Sequence, residues 1–185
     1  MLKFIYGTMG SSKTAQALIK NFEWSQNGFQ TILMKPSIAN REENIKSRIG
    51  INAKCITFNS NENLKYKCLY NIKSYRAIII VDECQFCTKK QINQLKEISN
   101  LFDVFCYGLK VNLKSELFPG SKRLLELADE FQSIDSVCKC GKKAILNLLF
   151  DKEGKIIKRE KDIKSLKDLT HQSVCYDCWK RYTEK

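Results

Sequence analysis

The stretch "GTMGSSKTA", Gly7 to Ala15, nearly has the pattern of a phosphate-binding loop, G-x-x-x-x-G-K-[ST]. It follows the apolar run "LKFIY" and precedes a helical pattern, so backbone N–H groups and the helix dipole would point at an anion. In such a loop Lys13 reaches the terminal phosphates and the Thr14 hydroxyl binds Mg²⁺. Ser12 replaces the second glycine, which weakens the pattern without abolishing it. We predict that a phosphate-binding loop is formed by Gly7, Thr8, Met9, Gly10, Ser11, Ser12, Lys13 and Thr14.

Two carboxylates follow the apolar run "IIIV" at residues 78–81. A carboxylate at the end of such a strand holds Mg²⁺ near the loop hydroxyl in nucleotide-hydrolysing and kinase folds, and Asp82 suits that role beside Thr14. Glu83 would accept a proton from an attacking hydroxyl group. The alternative is a pair of exposed acids in a strand-end turn. The loop upstream favours the catalytic interpretation.

The chain has nine cysteines, an odd number, and nothing else in the sequence indicates an oxidising compartment. For the cysteines that occur as closely spaced pairs, metal ligation is therefore favoured over disulfide bonds. Two tight pairs near the C-terminus predict a structural Zn²⁺ with four sulfur ligands, and reduced thiols without metal are the alternative. The predicted ligands are Cys138, Cys140, Cys175 and Cys178. Cys84 and Cys87 have no matching partner pair, so we interpret their spacing as incidental. Cys55, Cys68 and Cys106 are expected to be small buried hydrophobic residues.

The composition predicts a folded protein, because 43% of the 185 residues are hydrophobic. No apolar run is long enough to span a membrane and no signal peptide is recognisable, so we expect a cytoplasmic protein without a membrane partner. The net charge of +12 would suit a polyanion. Acidic residues are interspersed with the basic ones, however, which favours a solvated surface. A nucleic-acid-binding zinc protein, either ATP-gated or catalytically impaired, remains the competing hypothesis.

Apolar runs alternate with helical patterns along the first three quarters of the chain, which predicts an α/β fold with a central parallel sheet and helices on both faces. Strands are expected at 2–6, 30–36, 55–58, 77–83 and 104–109. Thr88 is a predicted N-cap, and Ser121 is predicted to cap a helix whose apolar stripe extends to Phe131. The character changes after Ser136. We therefore predict a nucleotide-binding domain at 1–136 and a zinc-binding domain at 137–185.

Several motifs together resemble the thymidine kinases of the cytosolic, zinc-containing type. In chain order they are "YGTMGSSKT", "KPSIANR", "SRIG", "VDECQF", "YGLKVNLKSELFPGSKRLLELAD", "CKCGKKA" and "SVCYDC". They have the order and spacing of the family and span nearly the whole chain. The resemblance implies a RecA-like P-loop domain and a small zinc-ribbon-like domain with a lid (lasso) loop, here at about residues 146–174.

The resemblance also implies an activity, which is transfer of the γ-phosphate of ATP to the 5′-hydroxyl of thymidine or deoxyuridine in nucleotide salvage. Glu83 would be the general base, Asp82 and Gln85 would belong to the ATP site, and Thr14 and Asp82 would hold Mg²⁺. The family is usually a homotetramer inhibited by the nucleoside triphosphate end product. The nucleoside pocket would be lined by Met9, Leu109, Leu113, Phe118 and His171.

Four residues depart from the family pattern. Ser12 replaces the loop glycine, Ala39 replaces an aspartate two residues before Arg41, and Leu113 replaces an aromatic residue. His171 stands where a tyrosine is usual, although a lone histidine is more often a polar surface group. The sequence "KSLKDL" also replaces a glycine-rich turn. Because Lys13, Thr14, Asp82 and Glu83 are retained, we expect an active enzyme in which any change affects base preference or affinity.

Overall fold

The computed structural model describes residues 1–39, 42–157 and 169–184, and within them the chain forms an α/β fold. Strands β1 to β8 are Leu2–Gly7, Gln30–Pro36, Asn44–Lys46, Asn52–Lys54, Ile56–Phe58, Ala77–Val81, Asp103–Gly108 and Glu130–Ile134, and β9 and β10 are Leu146–Phe150 and Thr170–Val174. Helices α1 to α5 are Lys13–Gln26, Leu64–Asn71, Lys89–Ile98, Pro119–Leu127 and Tyr176–Thr183. Among these residues, no helix combines the length and apolar character needed to cross a membrane.

A six-stranded sheet in the order β5-β2-β6-β7-β1-β8 forms the centre of the fold. All of its neighbouring pairs are parallel. Strand β6 is buried at every position, as its uninterrupted apolar sequence predicts for a strand covered on both faces. The predicted parallel sheet is therefore confirmed, and its carboxyl edge brings the ends of β1, β6 and β7 side by side.

Two separate cores lie on the two faces of this sheet. One face packs Phe4, Met34 and Val81 against α2, α3 and α4, and the other packs Ile5, Leu33 and Ile80 against α1. The alternation of side chains along each strand assigns successive residues to opposite cores. Helices consequently cover both faces of the sheet, as predicted.

Two predictions about the helix after β7 were wrong. Helix α4 begins after Phe118 with Pro119 at its first turn, and Ser121 lies inside it, fully buried, where its hydroxyl donates a hydrogen bond of 2.5 Å to the carbonyl of Leu109. The helix ends at Leu127, and Phe131 belongs to β8, which pairs with β1. Proline at the start is favourable because its missing N–H has no helical partner there. The predicted cap at Thr88 is present, together with a capping box.

The C-terminal part contains the antiparallel hairpin β9–β10 followed by α5. Its small core includes Leu146, Leu148 and Val174, and Val111 from the first part of the chain packs against it. The middle of the predicted lid, 158–168, lies outside the described residues, as does Arg41. The division of the chain at residue 136 stays a prediction.

Helix α4 packs closely on the 3₁₀ turn Cys84–Phe86 that follows Glu83, and Gly120 makes this contact possible. A Cβ atom at Gly120 would lie 2.6 Å from the carbonyl oxygen of Cys84 and 2.7 Å from that of Cys87. Both are backbone atoms and cannot move away independently. The absence of a side chain at Gly120 therefore sets the distance between α4 and the turn that carries Glu83.

We predict that Gly120→Ala lowers the free energy of unfolding by about 1–3 kcal/mol, because the added methyl group overpacks this contact. Chemical denaturation measures the change. Lys122→Ala is the matched control in the same helix, since Lys122 is exposed and its loss is expected to change stability by less than about 0.5 kcal/mol. Equal stability of the two variants would show that α4 can move away without cost.

The start of α1 contains a strained residue. Ser12 precedes the helix with φ +64° and ψ +15°, the left-handed region that favours glycine. Its hydroxyl makes one side-chain hydrogen bond, from Nε2 of Gln16 at 3.2 Å, on the exposed surface. The loop thus keeps the backbone of a glycine-containing phosphate loop although a serine occupies the position.

We predict that Ser12→Gly raises the free energy of unfolding by up to about 1 kcal/mol. The left-handed conformation costs an L-residue about 1–2 kcal/mol, and glycine avoids this cost. Part of the gain is offset because glycine increases the conformational entropy of the unfolded chain. Thermal denaturation tests it. Ser115 has the same φ of +64° and lies outside the loop, so Ser115→Gly is the control and should gain a similar amount. If Ser115→Gly is more stable than the wild type and Ser12→Gly is less stable, the hydrogen bond from Gln16 contributes more to stability than the backbone strain at Ser12 costs.

Candidate functional site

One cavity of about 670 Å³ opens at the carboxyl edge of the sheet. Its wall includes Lys13 and Thr14 from the phosphate loop and the start of α1, Glu83 from the end of β6, and Phe118 before α4. The structure brings all five predicted nucleoside-site residues to this cavity, and these are Met9, Leu109, Leu113, Phe118 and His171. A phosphate loop, a carboxylate and an apolar wall therefore face one space.

Lys13 is almost completely buried at the base of the loop, with 8% of its surface exposed. Its ammonium group donates a hydrogen bond to the carbonyl of Thr8 at 2.6 Å and lies 3.4 Å from the Ser11 hydroxyl. Burial lowers the pKa of Lys13, and the carboxylates of Glu83 and Asp82 oppose this shift. The hydrogen bond to Thr8 thus fixes the Lys13 amine against the loop with which it would bind phosphate.

Asp82 is 3% exposed and is not among the residues that line the cavity, but it accepts a hydrogen bond from the side chain of Thr14, which does line it. Burial and then the neighbouring charge of Glu83 raise the pKa of the Asp82 carboxyl to about 7, while the Thr14 bond opposes the shift. Hydroxyl and carboxylate oxygens are the ligands that Mg²⁺ accepts in proteins. The pair is suited to a divalent cation, which would favour the charged carboxylate.

Glu83 lines the cavity from an unusual backbone position, with φ +54°. Its carboxylate accepts a hydrogen bond of 2.5 Å from the side-chain amide of Gln85, whose own carbonyl accepts from the backbone N–H of Leu109 at 3.0 Å. Gln85 is 1% exposed. It therefore connects the carboxylate to the apolar wall and fixes the direction in which Glu83 points.

The phosphate loop is also held from above by the hairpin β9–β10. The backbone N–H of Met9 donates to the side-chain oxygen of Asn147 at 2.7 Å, and the Met9 carbonyl accepts from the Ser173 hydroxyl at 2.6 Å. Asn147 and Ser173 face each other in the hairpin register. Thr8 makes a further contact of 2.5 Å with the hydroxyl of Ser136. Both backbone groups of Met9 are thus fixed by one cross-strand pair.

Sequence reasoning missed Asn147, Ser47 and Arg48, all of which line or reach the cavity. Asn147 had a visible signal, since it is the one polar residue in the apolar strand Leu146–Phe150. Arg48 lies in the "SRIG" motif but had no assigned role. The other predicted loop residues, Gly7, Thr8 and Ser11, are not among the residues that line the cavity.

The four predicted zinc ligands come together in space. The sulfur atoms of Cys138, Cys140, Cys175 and Cys178 lie within 4.8 Å of one another, and those of Cys140 and Cys175 are 3.6 Å apart. Tetrahedral Zn²⁺ with Zn–S bonds of about 2.3 Å places its sulfur ligands about 3.8 Å apart. The donor set and its spacing suit one Zn²⁺.

The remaining five cysteines are buried and are not part of this cluster. Burial raises the pKa of both Cys84 and Cys87 well above the ordinary value, so these thiols stay protonated. Both pack in the core under α3 and α4. Their position is that of small apolar residues.

Comparison with known proteins identifies the family. The thymidine kinase family model matches residues 1–179. The thymidine kinase of Shewanella oneidensis is 33% identical over 179 residues, which cover 94% of this chain and 93% of that protein. The thymidine kinase of Mannheimia succiniciproducens is 32% identical over 100% of this chain and 97% of its own, and that of Zymomonas mobilis is 37% identical over 85% and 84%. This chain belongs to the thymidine kinase family.

Proposed function

We propose that this protein transfers the γ-phosphoryl group of ATP to the 5′-hydroxyl of thymidine or deoxyuridine, forming dTMP from thymidine. The observation that carries the proposal is the shared lining of one cavity, whose wall contains Lys13 and Thr14 together with the apolar residues Leu109 and Phe118. Glu83 belongs to the same wall. The family match supports the substrate class. No comparison supports the competing nucleic-acid-binding hypothesis.

In this proposal Glu83 accepts the proton of the 5′-hydroxyl as the oxygen attacks the γ-phosphorus. The bond between the γ-phosphorus and the bridging oxygen breaks, and ADP leaves with that electron pair. Lys13 and the loop N–H groups stabilise charge on the phosphates. A Mg²⁺ ion held by Thr14 and Asp82 would neutralise further phosphate charge when it is bound.

The positive φ of Glu83 supports its role as the general base. Such backbone conformations cost about 1–3 kcal/mol and are retained at functional sites when the surrounding structure imposes them. The hydrogen bond from Gln85 restricts the carboxylate further. Glu83 is therefore positioned before substrate binds, which reduces the ordering needed during transfer.

We also propose the finer architecture that the resemblance implies. Residues 1–136 would form a RecA-like P-loop domain, and 137–185 a zinc-ribbon-like domain in which the segment at about residues 146–174 is the substrate lid. The protein would be a cytoplasmic homotetramer inhibited by its end product. Exposed aromatic side chains on α1 and α2 offer apolar surface for subunit contacts, and these are Phe22, Tyr66 and Tyr70.

The first test is phosphate transfer from Mg-ATP to thymidine, deoxyuridine, deoxycytidine and purine deoxynucleosides. We expect transfer to thymidine and deoxyuridine only. Glu83→Gln should bind both substrates and lower kcat by about 10²–10⁴-fold, because general-base catalysis contributes a factor of that size. Product chromatography and calorimetric binding provide the two readouts. No transfer by the folded, zinc-containing protein would contradict the proposed reaction, and full activity of Glu83→Gln would contradict only the role of that residue.

The zinc proposal predicts about one Zn²⁺ per chain, measured by elemental analysis of the purified protein. Cys175→Ser should lower the zinc content to near zero and destabilise the hairpin β9–β10, because the metal joins the segments on either side of it. Cys68→Ala is the control, since this buried cysteine lies in the core of the sheet and should leave the zinc content unchanged. Zinc content that is equal in both variants would exclude the four-cysteine site.

A further inference from the structure

Arg48 lies at the tip of the β3–β4 hairpin, on the wall of the cavity. The tip is a tight turn in which the N–H of Gly50 donates to the carbonyl of Ser47 at 3.2 Å, and Gly50 has φ +90°. The guanidinium group contacts both ring nitrogens of His171, Nε2 at 2.5 Å and Nδ1 at 3.3 Å. The hairpins β3–β4 and β9–β10 therefore meet at this contact.

This contact joins a full positive charge to a neutral ring. Burial lowers the pKa of His171, and the charges of Arg48 and Lys13 lower it further, so the imidazole is uncharged at neutral pH. In the part of the chain that the structure describes, Arg48 forms no ion pair with a carboxylate, whereas Arg123 pairs with Glu126 at 2.6 Å. Arg48 is thus a charge without a counter-charge in the described residues.

Arg48 also lies next to the phosphate loop. A methyl group placed on Gly10 would be 3.9 Å from Nη1 of Arg48 and 3.3 Å from Nε2 of His171. Burial is the main cause that lowers the pKa of Lys13, and the charge of Arg48 adds to it, so the two cations are close enough to interact. An anion bound by the loop would therefore face Lys13 from below and Arg48 from the side.

Ser47 provides an independent sign that this hairpin faces a ligand. It is 6% exposed and lines the cavity, and its hydroxyl oxygen has no hydrogen-bond partner among the described residues. A buried hydroxyl without a partner costs about 1–3 kcal/mol unless a ligand or water satisfies it. Lys46, also on the cavity wall, adds a further positive charge. The hairpin presents donors and cations toward a space that suits phosphate oxygens.

We propose that Arg48 binds the γ-phosphoryl group during transfer, leaving His171 when the nucleotide enters. It would act as an arginine supplied by the same chain, adding its charge to that of Lys13 as negative charge spreads over the transferring oxygens. A planar guanidinium group with several donors suits this task better than an ammonium group. The inference rests on the proposed kinase function and adds a residue to which neither the sequence motifs nor the family match assigns a role.

The test compares Arg48→Gln with Lys54→Gln. Lys54 is an exposed cation on the same hairpin and is not part of the cavity wall, so the two variants lose the same charge from the same element. With Mg-ATP and saturating thymidine, Arg48→Gln should lower kcat by about 10³-fold, in the range known for arginines that act on transferring phosphoryl groups. Lys54→Gln should stay within about twofold. Thymidine affinity, measured by calorimetry without ATP, should not change in either variant.

Three further readouts separate phosphoryl binding from a structural role. Free guanidinium should restore part of the activity of Arg48→Ala, which a merely misfolded hairpin would not show. Arg48→Gln should also weaken binding of Mg-ADP with aluminium fluoride, which imitates the transferring group, by at least about tenfold without weakening Mg-ADP alone. Arg48→Lys should retain intermediate activity.

The outcomes distinguish this inference from the kinase proposal. If the wild type phosphorylates thymidine and Arg48→Gln does so within about threefold, Arg48 has no such role and the kinase proposal stands. If the wild type phosphorylates no nucleoside but Arg48→Gln still binds the aluminium fluoride complex more weakly, the phosphoryl-binding role stands and the acceptor was wrong. Equal binding of that complex by both proteins would overturn the inference in either case.

Discussion

The burial of Lys13 and Asp82 at the carboxyl edge of the sheet is the constraint on which the site depends. Removing such charges from water is costly unless hydrogen bonds and opposite charges compensate. Here the Thr8 carbonyl accepts from Lys13, and Thr14 donates to Asp82. The raised pKa of Asp82 and the lowered pKa of Lys13 show that compensation is incomplete in the free protein. A bound phosphate group and a divalent cation would add opposite charges next to Lys13 and Asp82, which is consistent with the proposed nucleotide site.

The same constraint explains why the C-terminal part belongs to the site. A loop that orients N–H groups toward phosphate must keep one backbone conformation, and Met9 is fixed by Asn147 and Ser173 of the hairpin β9–β10. Next along the chain after β10 come Cys175 and Cys178 of the four-cysteine cluster. Anything that orders this cluster also orders the hairpin and, through it, the phosphate loop. A Zn²⁺ ion bound by this cluster would therefore affect nucleotide binding without contacting the nucleotide.

Much of this arrangement could be predicted from the sequence, because the decisive residues follow strong patterns. The strands β1, β2, β6 and β7 are apolar runs with clear ends, and the phosphate loop and Asp82 follow two of them directly. The strand β8 escaped prediction because four of its five residues are exposed and its sequence has no apolar run. Ser121 was assigned to a cap on its residue type alone, whereas packing against Leu109 made it an interior residue. Long-range contacts such as Arg48 with His171 have no signature in sequence spacing.

The departures from the family pattern have one location in common. Ser12, Ala39, Leu113 and His171 all line the cavity, whereas Lys13, Thr14 and Glu83 are retained within the same wall. His171 also shows how a departure can be matched by its surroundings, since a neutral imidazole accepts from Arg48 on the hairpin opposite. We therefore expect any difference in base preference or affinity to arise at this wall, because Lys13, Thr14 and Glu83 keep the groups that phosphoryl transfer would need.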